Sequence, residues 1–524
     1  MKASILFFLL IISGVRSMAQ QTFSKVFYDS TSSGYAYSIT PSFDNGEMVT
    51  GTIFNSGLVM KLDSAGSLEW NRLYSAGGYW TRFYSIIQTA DSGFMLVGSI
   101  LDSTNHFDAL CMKVNRAGDT LWTRKLGTAA DEEGISVAAA PDGGFVIVGY
   151  AENQTLSNSK ILLFKLDSAG SMVWSQCLAH GISNMGYSVK PTPDSGFVIT
   201  GNMVDSFPNN RYSAFLVKVN AAGNVSWAKN YYTVGQNTEG LDIAVLPGGY
   251  ILYLTKYWHS AMMKVDLNGN VDWIHFFPDL VVNRPYSYSI PHARLITTSD
   301  GGLAFVNGVS DYNHFGRYYL CKTDTNGINA WGEQLILNAL AFHENADKGF
   351  SVAGNGPLFQ FRTTSIVFPD HFGVFRTDSL WNNSCGTVYG QIAARPDTIN
   401  SMSISMTSST AGVLSPVYPV ISSTLPLSDS GCVGFALNTR EISAEPLMSI
   451  YPNPASSEIN FIFKQMTGSF KLRILNMMGQ EVFSKKLTGD EARNFSLSEM
   501  FSPGMYLAVV RSEIAVYIKK FLIE

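Results

Sequence analysis

The chain is patterned as short apolar runs separated by turns of Asp, Gly, Ser and Asn. The commonest run is apolar at every position, as in Phe145-Val146-Ile147-Val148, and follows an Asp-Gly-type turn. Continuous apolarity over so few residues predicts a strand covered on both faces, whereas a half-buried strand would alternate. The turn recurs as Asp91-Ser92-Gly93-Phe94, Asp142-Gly143-Gly144-Phe145, Asp194-Ser195-Gly196-Phe197 and Asp300-Gly301-Gly302-Leu303. Looser copies stand at Asp44-Asn45-Gly46, Pro247-Gly248-Gly249-Tyr250 and Asp347-Lys348-Gly349-Phe350. Gly accepts the positive φ of tight hairpin turns, so each copy should join two antiparallel strands, such as Tyr187-Ser188-Val189 and Phe197 to Thr200. A third and a fourth strand complete the unit, clearest at Ile161 to Asp167 and Met172 to Leu178 across the turn Ser168-Ala169-Gly170.

The third-to-fourth connection keeps a fixed spacing from Asp or Asn to Trp: Asp63 and Trp70, Asn115 and Trp122, Asp167 and Trp174, Asn220 and Trp227, Asp266 and Trp273, Asp324 and Trp331. Gly holds the same internal position each time, at Gly66, Gly118, Gly170, Gly223, Gly269 and Gly327. A period of about 50 residues means stacked supersecondary units, and four strands per unit predict an all-β, seven-bladed β-propeller. The seventh copy begins at Asp378 but holds Trp381 in the Gly slot and Cys385 in the Trp slot. Phe23-Ser24-Lys25-Val26-Phe27 matches Trp70-Asn71-Arg72-Leu73-Tyr74, so the N-terminal strand is expected to complete the seventh blade and remove the open edges. Because the Asp, Gly and Trp set recurs around the ring, a structural role is preferred over calcium ligation or sugar stacking.

After residue 385 the pattern changes. Residues 386–445 are rich in Ser, Thr and Pro and read as an extended connector; Cys385 and Cys432 bracket it, and a disulfide between them would pin it to the last blade. Residues 446–524 return to period-two patterning, at Phe470 to Leu475, Glu481 to Leu487 and Met505 to Arg511, which predicts a small β-sandwich. Within it, Ile450-Tyr451-Pro452-Asn453-Pro454-Ala455, Leu472-Arg473-Ile474-Leu475-Asn476-Met477-Met478-Gly479-Gln480-Glu481-Val482, Ser502-Pro503-Gly504-Met505-Tyr506-Leu507 and Lys519-Lys520-Phe521-Leu522-Ile523 resemble a type A sorting domain of the type IX secretion system. With the repeats, the chain resembles secreted propeller-repeat proteins of bacteria that use this route. The resemblance implies an export address recognised at the outer membrane, the type IX secretion machinery as partner, and a secreted or cell-surface location. In that family the domain is commonly removed on release or attached to surface lipopolysaccharide.

Composition supports many short strands: of 524 residues, 46% are hydrophobic, 13% aromatic and only 15% charged, with 46 Gly. The net charge of −5, without a Lys/Arg block, argues against a nucleic-acid partner. Lys2, the apolar stretch Ile5 to Ile12 and Ser17-Met18-Ala19 read as a signal peptide over residues 1–19, cleaved between Ala19 and Gln20. The absence of Cys near that site argues against a lipid-anchored lipoprotein, and no later segment reaches the length of a transmembrane helix, so no integral membrane segment is expected. The 5 Cys leave at least one unpaired, and Cys111 and Cys321 read as small buried residues. The seven-bladed propeller as a whole is assigned to residues 20–385.

No residue pattern points to a catalytic, cofactor or metal site: a Gly-x-Ser-x-Gly elbow and a His-x-x-x-His pair with an acidic helper are both missing. The Asp-to-Trp turn is one residue shorter than the tryptophan-docking motif of pyrroloquinoline-quinone propellers and fails the sialidase Asp-box spacing. Six residues before the turn Asp lies Ser38, Ser85, Ser136 or Ser188; the same slot holds Arg294 in unit six, Ala341 in unit seven, and Leu241 or Asp242 in unit five. Asp242 and Arg294 are therefore the candidate polar ligand site at the channel. The run Asp131-Glu132-Glu133 and the pair His343-Glu344 are expected to face water. Two functions follow: a non-catalytic module binding a glycan, peptide or protein, and, as the alternative, an extracellular polysaccharide hydrolase or lyase working at the channel mouth.

Overall fold

The computed structural model describes residues 22–28, 34–75, 80–101, 105–127, 130–153, 158–204, 211–256, 259–281, 294–310, 316–328, 331–335, 338–355, 372–377, 388–391, 395–396, 400–403, 406–409, 413–416, 421–423, 428–430, 448–451, 455, 458–463, 470–476, 481–488, 494–497, 502–511 and 516–523. Among them every regular element is a strand, arranged in seven five-stranded antiparallel sheets and two smaller ones. Ala19, Gln20, Trp381, Cys385 and Cys432 lie outside the described residues, and the expected cleavage site and disulfide with them.

Four strands of each sheet follow one another in sequence. Sheet one holds Gly34–Pro41, Glu47–Ile53, Ser56–Leu62 and Leu68–Ser75, and sheet two Thr81–Gln88, Phe94–Leu101, Phe107–Val114 and Thr120–Gly127. Sheet three holds Asp131–Ala139, Phe145–Asn153, Asn158–Leu166 and Met172–Ala179, and sheet four Ser183–Pro191, Phe197–Val204, Tyr212–Val219 and Val225–Tyr232. Sheet five holds Thr238–Leu246, Gly249–Lys256, His259–Val265 and Val271–Val281, and sheet six Arg294–Thr297, Leu303–Ser310, Gly316–Thr323 and Trp331–Leu335. Sheet seven takes Asn338–Glu344, Phe350–Asn355 and Phe372–Arg376 from its own stretch and Phe23–Tyr28 as its fourth strand, with Phe23 opposite Arg376.

The first strand of every sheet packs against the first strand of the next, and that of sheet seven packs against that of sheet one. The core is correspondingly divided. Seven apolar clusters each join two neighbouring sheets, from Met48, Tyr74 and Phe94 between sheets one and two to Phe23, Phe27, Val49 and Val374 between seven and one. This is why the second strands are apolar on both faces.

The repeated residues act as joints. Asp63 Oδ1 accepts hydrogen bonds from the Ala65 and Ser67 backbone N–H groups, at 2.9 and 2.8 Å, and Gly66 takes φ +78°. The Trp of one sheet then lies on the turn Gly of the next: a Cβ added at Gly118 would stand 2.8 Å from the Trp70 ring, and one at Gly223 2.9 Å from Trp174. Phe23 occupies this position against Gly66, where an added Cβ would stand 2.4 Å from its ring. The turn Asp has a second partner: Lys113, Lys165, Lys218 and Lys322, all buried on third strands, pair with Asp91, Asp142, Asp194 and Asp300. Sheet five, whose turn is Pro247-Gly248-Gly249, has no such Asp, and its Lys264 is more exposed and pairs with Asp272 at 3.4 Å.

Residues 388–430 do more than connect. Val388–Gln391 pairs with the fourth strand of sheet six, Arg395–Pro396 with that of five, Asn400–Ser403 with four, Thr407–Ser409 with three, Val413–Pro416 with two, Ile421–Ser423 with one, and Ser428–Ser430 with Phe23–Tyr28. This belt visits the sheets in reverse order and covers each outer edge, where unpaired N–H and C=O groups would invite association. Its extended backbone, Ser and Thr content and step of about seven residues suit that task.

The C-terminal region has its own core. Met448–Tyr451, Ile459–Phe463 and Asn494–Leu497 form one sheet; Glu481–Leu487, Phe470–Asn476, Gly504–Arg511 and Val516–Ile523 form the other; Phe461, Leu472, Ile474, Val510 and Phe521 share one apolar cluster.

Candidate functional site

The first strands carry a feature that the repeat disguises. Six of them have a register shift just before the Ser slot, leaving Tyr37, Tyr84, Ile135, Tyr187, Leu241 and Leu340 unpaired in the ladder of sheets one, two, three, four, five and seven. A bulge of this kind re-aims the extra side chain. Tyr84, Ile135, Tyr187 and Tyr150 form one cluster, against which Tyr37 and Met185 pack. Sheets five and seven contribute only Leu at the equivalent position. The cluster is thus confined to four consecutive sheets.

Charged groups sit within it. Arg82, two residues before Tyr84, lies over the Trp80 ring at 5.1 Å and over Phe107 at 5.4 Å, and contacts the Tyr84 hydroxyl at 3.5 Å. Glu133 stands in the next first strand, at the position equivalent to Arg82, and the hydroxyls of Tyr84 and Tyr150 donate to its carboxylate. Burial raises the Glu133 carboxyl above its usual range, against the opposing effects of Tyr84, Arg82 and Tyr150. Burial likewise pushes the Tyr37 hydroxyl to about 12. Tyr37 meets Tyr84 at 5.4 Å and stacks with Tyr35 at 6.1 Å. Beside them, Asp131 accepts from the Phe107 backbone N–H at 2.9 Å and meets His106 Nδ1 at 3.3 Å, while Glu152 lies directly across the ladder from Asp131 and is raised by burial and by that charge. The expectation that the Asp131-Glu132-Glu133 run faces water is therefore corrected: these residues begin the first strand of sheet three, and Glu132 is buried.

Asp242 occupies the Ser slot of sheet five, opposite Tyr253, and Arg294 that of sheet six, opposite Val306. Asp242 is 1% exposed and bound on all sides by the protein: Ser188 Oγ donates at 2.5 Å, the Ile243 and Leu295 backbone N–H groups at 2.9 Å each, and Lys190 Nζ lies 3.4 Å away. Burial disfavours its charge, yet Lys190 and Arg294 prevail and hold the carboxyl below its usual range. These contacts tie together the first strands of sheets four, five and six.

His343 is also better partnered than its sequence neighbours suggest. Its Nε2 lies 2.7 Å from Glu47 Oε2, Ser351 Oγ donates to the other oxygen of Glu47, and Arg376 stands 3.9 Å from it. Glu344 accepts from Ser299 N at 2.6 Å. The expected solvation of the His343-Glu344 pair is thus corrected to two cross-links: Glu344 ties sheet seven to the turn of sheet six, and His343 ties it to sheet one through Glu47, which follows its turn Gly where the other units have Phe, Tyr or Leu. Among the described residues, no group of His, Cys, Asp and Glu is placed to hold a metal ion, and no helix is long and apolar enough to cross a membrane.

The architecture to this point defines an all-β protein of repeated antiparallel sheets with a separate β tail. The family model for the secretion system C-terminal sorting domain matches residues 449–524, so the tail is a sorting domain of type IX secretion, and it directs the protein to the cell surface or the extracellular space through the type IX machinery. No curated protein matches the chain. A solved protein of unknown function from Dyadobacter fermentans DSM 18053 is 10% identical, with a TM-score of 0.39 over 58% of this chain and 94% of its own. A glucose dehydrogenase structure is also 10% identical, with a TM-score of 0.32 over 66% of this chain and 98% of its own. Similarity this low says nothing of this chain's activity.

Proposed function

We propose that the seven sheets are the blades of a propeller, that residues 1–19 are a signal peptide, and that the exported protein is a non-catalytic binding module using the face on which Tyr37, Arg82, Glu133 and Tyr187 gather. The observation that carries this reading is the unbroken cycle of first-strand contacts, together with the confinement of the aromatic and charged cluster to sheets one to four. A uniform ring needs no such asymmetry for stability. Asp242 and Arg294, the channel residues singled out by their slot, fit the part of a cross-brace between blades better than that of a ligand site, because Asp242 is buried with its oxygens engaged, whereas Glu133 is only partly buried. A second reading, a polysaccharide hydrolase or lyase, draws support from the raised Glu133 carboxyl beside Arg82 and Tyr84. For the address, deleting residues from Pro446 onward should strand the protein in the periplasm; normal secretion of that truncation would refute the assignment. For the site, a glycan and peptide screen on the secreted protein, with turnover assayed on any hit, separates the two readings.

A further inference from the structure

Resting on the binding-module reading, we infer that the rim formed by Tyr37, Trp80, Arg82 and Glu133 takes the end of a neutral, polyhydroxylated saccharide. Trp80 offers the platform: it is 43% exposed, yet the Arg82 guanidinium over its ring at 5.1 Å fixes its orientation. The apolar C–H face of a pyranose matches such a ring, because an aromatic side chain presents a broad, rigid surface at low entropic cost. Arg82 joins the platform to polar groups of both hydrogen-bonding senses, through its contact with Tyr84 and its electrostatic interaction with Glu133 and Tyr37. Arg82 carries only donors, the Glu133 carboxylate accepts, and the Tyr37 hydroxyl does either. Sugar hydroxyls donate and accept in turn and satisfy that mixture. Charge narrows the class further. Asp131, Glu133 and Glu152 outnumber Arg82 and oppose an anionic ligand. An extended peptide would gain most by adding a strand to an outer sheet edge, and the belt already occupies that edge in all seven sheets.

The test is titration calorimetry of the secreted full chain with cellohexaose, laminarihexaose, xylohexaose, hexagalacturonic acid and a pool of hexapeptides. A neutral hexasaccharide should bind. Trp80→Ala and Glu133→Gln should each weaken it at least tenfold, whereas Trp80→Phe, which keeps a ring, should lose less than fivefold. Ile182→Ser, an exposed residue in the loop before sheet four, should change binding less than twofold. Thermal unfolding of each variant guards against loss of fold. Failure of every neutral hexasaccharide to bind, or binding indifferent to Trp80→Ala, would overturn the inference. Preference for hexagalacturonic acid or a peptide, lost in Trp80→Ala, would overturn the saccharide class while leaving the binding module standing. Release of reducing ends by the parent protein but not by Glu133→Gln would instead overturn the non-catalytic reading and uphold the saccharide.

Discussion

Two glycines with nearly the same backbone conformation should differ sharply in their tolerance of a single methyl group. Gly143 and Gly223 have φ of +81° and +83°, but a Cβ at Gly143 meets nothing within 4 Å, whereas one at Gly223 stands 2.9 Å from the Trp174 ring. Alanine at either site incurs the left-handed penalty of roughly 1–2 kcal/mol, and the gain from a stiffer unfolded chain is common to both. At Gly223 the methyl must also displace an indole anchored by its Nε1–H to the Ala221 carbonyl at 3.1 Å, an overpacking cost of roughly 1–3 kcal/mol. Gly223→Ala should therefore be the more destabilising by about that amount, and the excess should vanish when both substitutions are compared in a Trp174→Ala background. Urea midpoints by tryptophan fluorescence and by circular dichroism give the comparison without assuming that all seven sheets unfold together. Equal midpoints for Gly143→Ala and Gly223→Ala would refute the docking of each Trp on the next sheet.

The belt makes a chain ending at residue 385 a poor substitute for the whole repeat region. Compared with a chain ending at residue 447, it should melt at least about 10 °C lower or aggregate through its exposed fourth strands, as scanning calorimetry and light scattering would show; equal behaviour would make the belt dispensable. The turn pairs should set the acid limit. Lys218 and Thr192 hold the Asp194 carboxyl at about 2, so its contribution is present above the ordinary carboxylate value of about 3.9 and is lost as pH falls toward 2. Lys218→Met should flatten the pH dependence of melting between about pH 4 and 2, by less than 1 kcal/mol because the Asp194 side chain is 63% exposed.

What could be read from the sequence was whatever recurred locally. The Asp, Gly and Trp spacing marked the turns and the sheet contacts, and the match of Phe23 to Trp70 located the strand that completes sheet seven. The belt escaped because its strands are two to four residues long, each pairing with a strand laid down far earlier, so neither period nor turn residues betray them. The rim was hidden for a different reason. Counting back from the turn Asp found the Ser slot, but a bulge shifts the register at the preceding residue, and only the ladder shows that Tyr37, Tyr84 and Tyr187 are turned aside to meet. Glu47 was visible as a carboxylate where an apolar residue belongs, a signal that leads to its partner His343 only once sheets seven and one are seen side by side.

Because the belt runs against the order of the sheets, the chain cannot finish its units one by one as it is laid down from its N-terminus. Sheet six can receive its last strand first, and sheet one only after residues 421–423 have arrived. Sheet seven waits longest: its fourth strand comes from residues 23–28 and its fifth from 428–430, so the earliest and nearly the last part of this region must meet there. The tail recognised for export begins at residue 449, a short distance further on. A chain laid down from its N-terminus therefore holds every strand of the seven sheets before its sorting tail is complete.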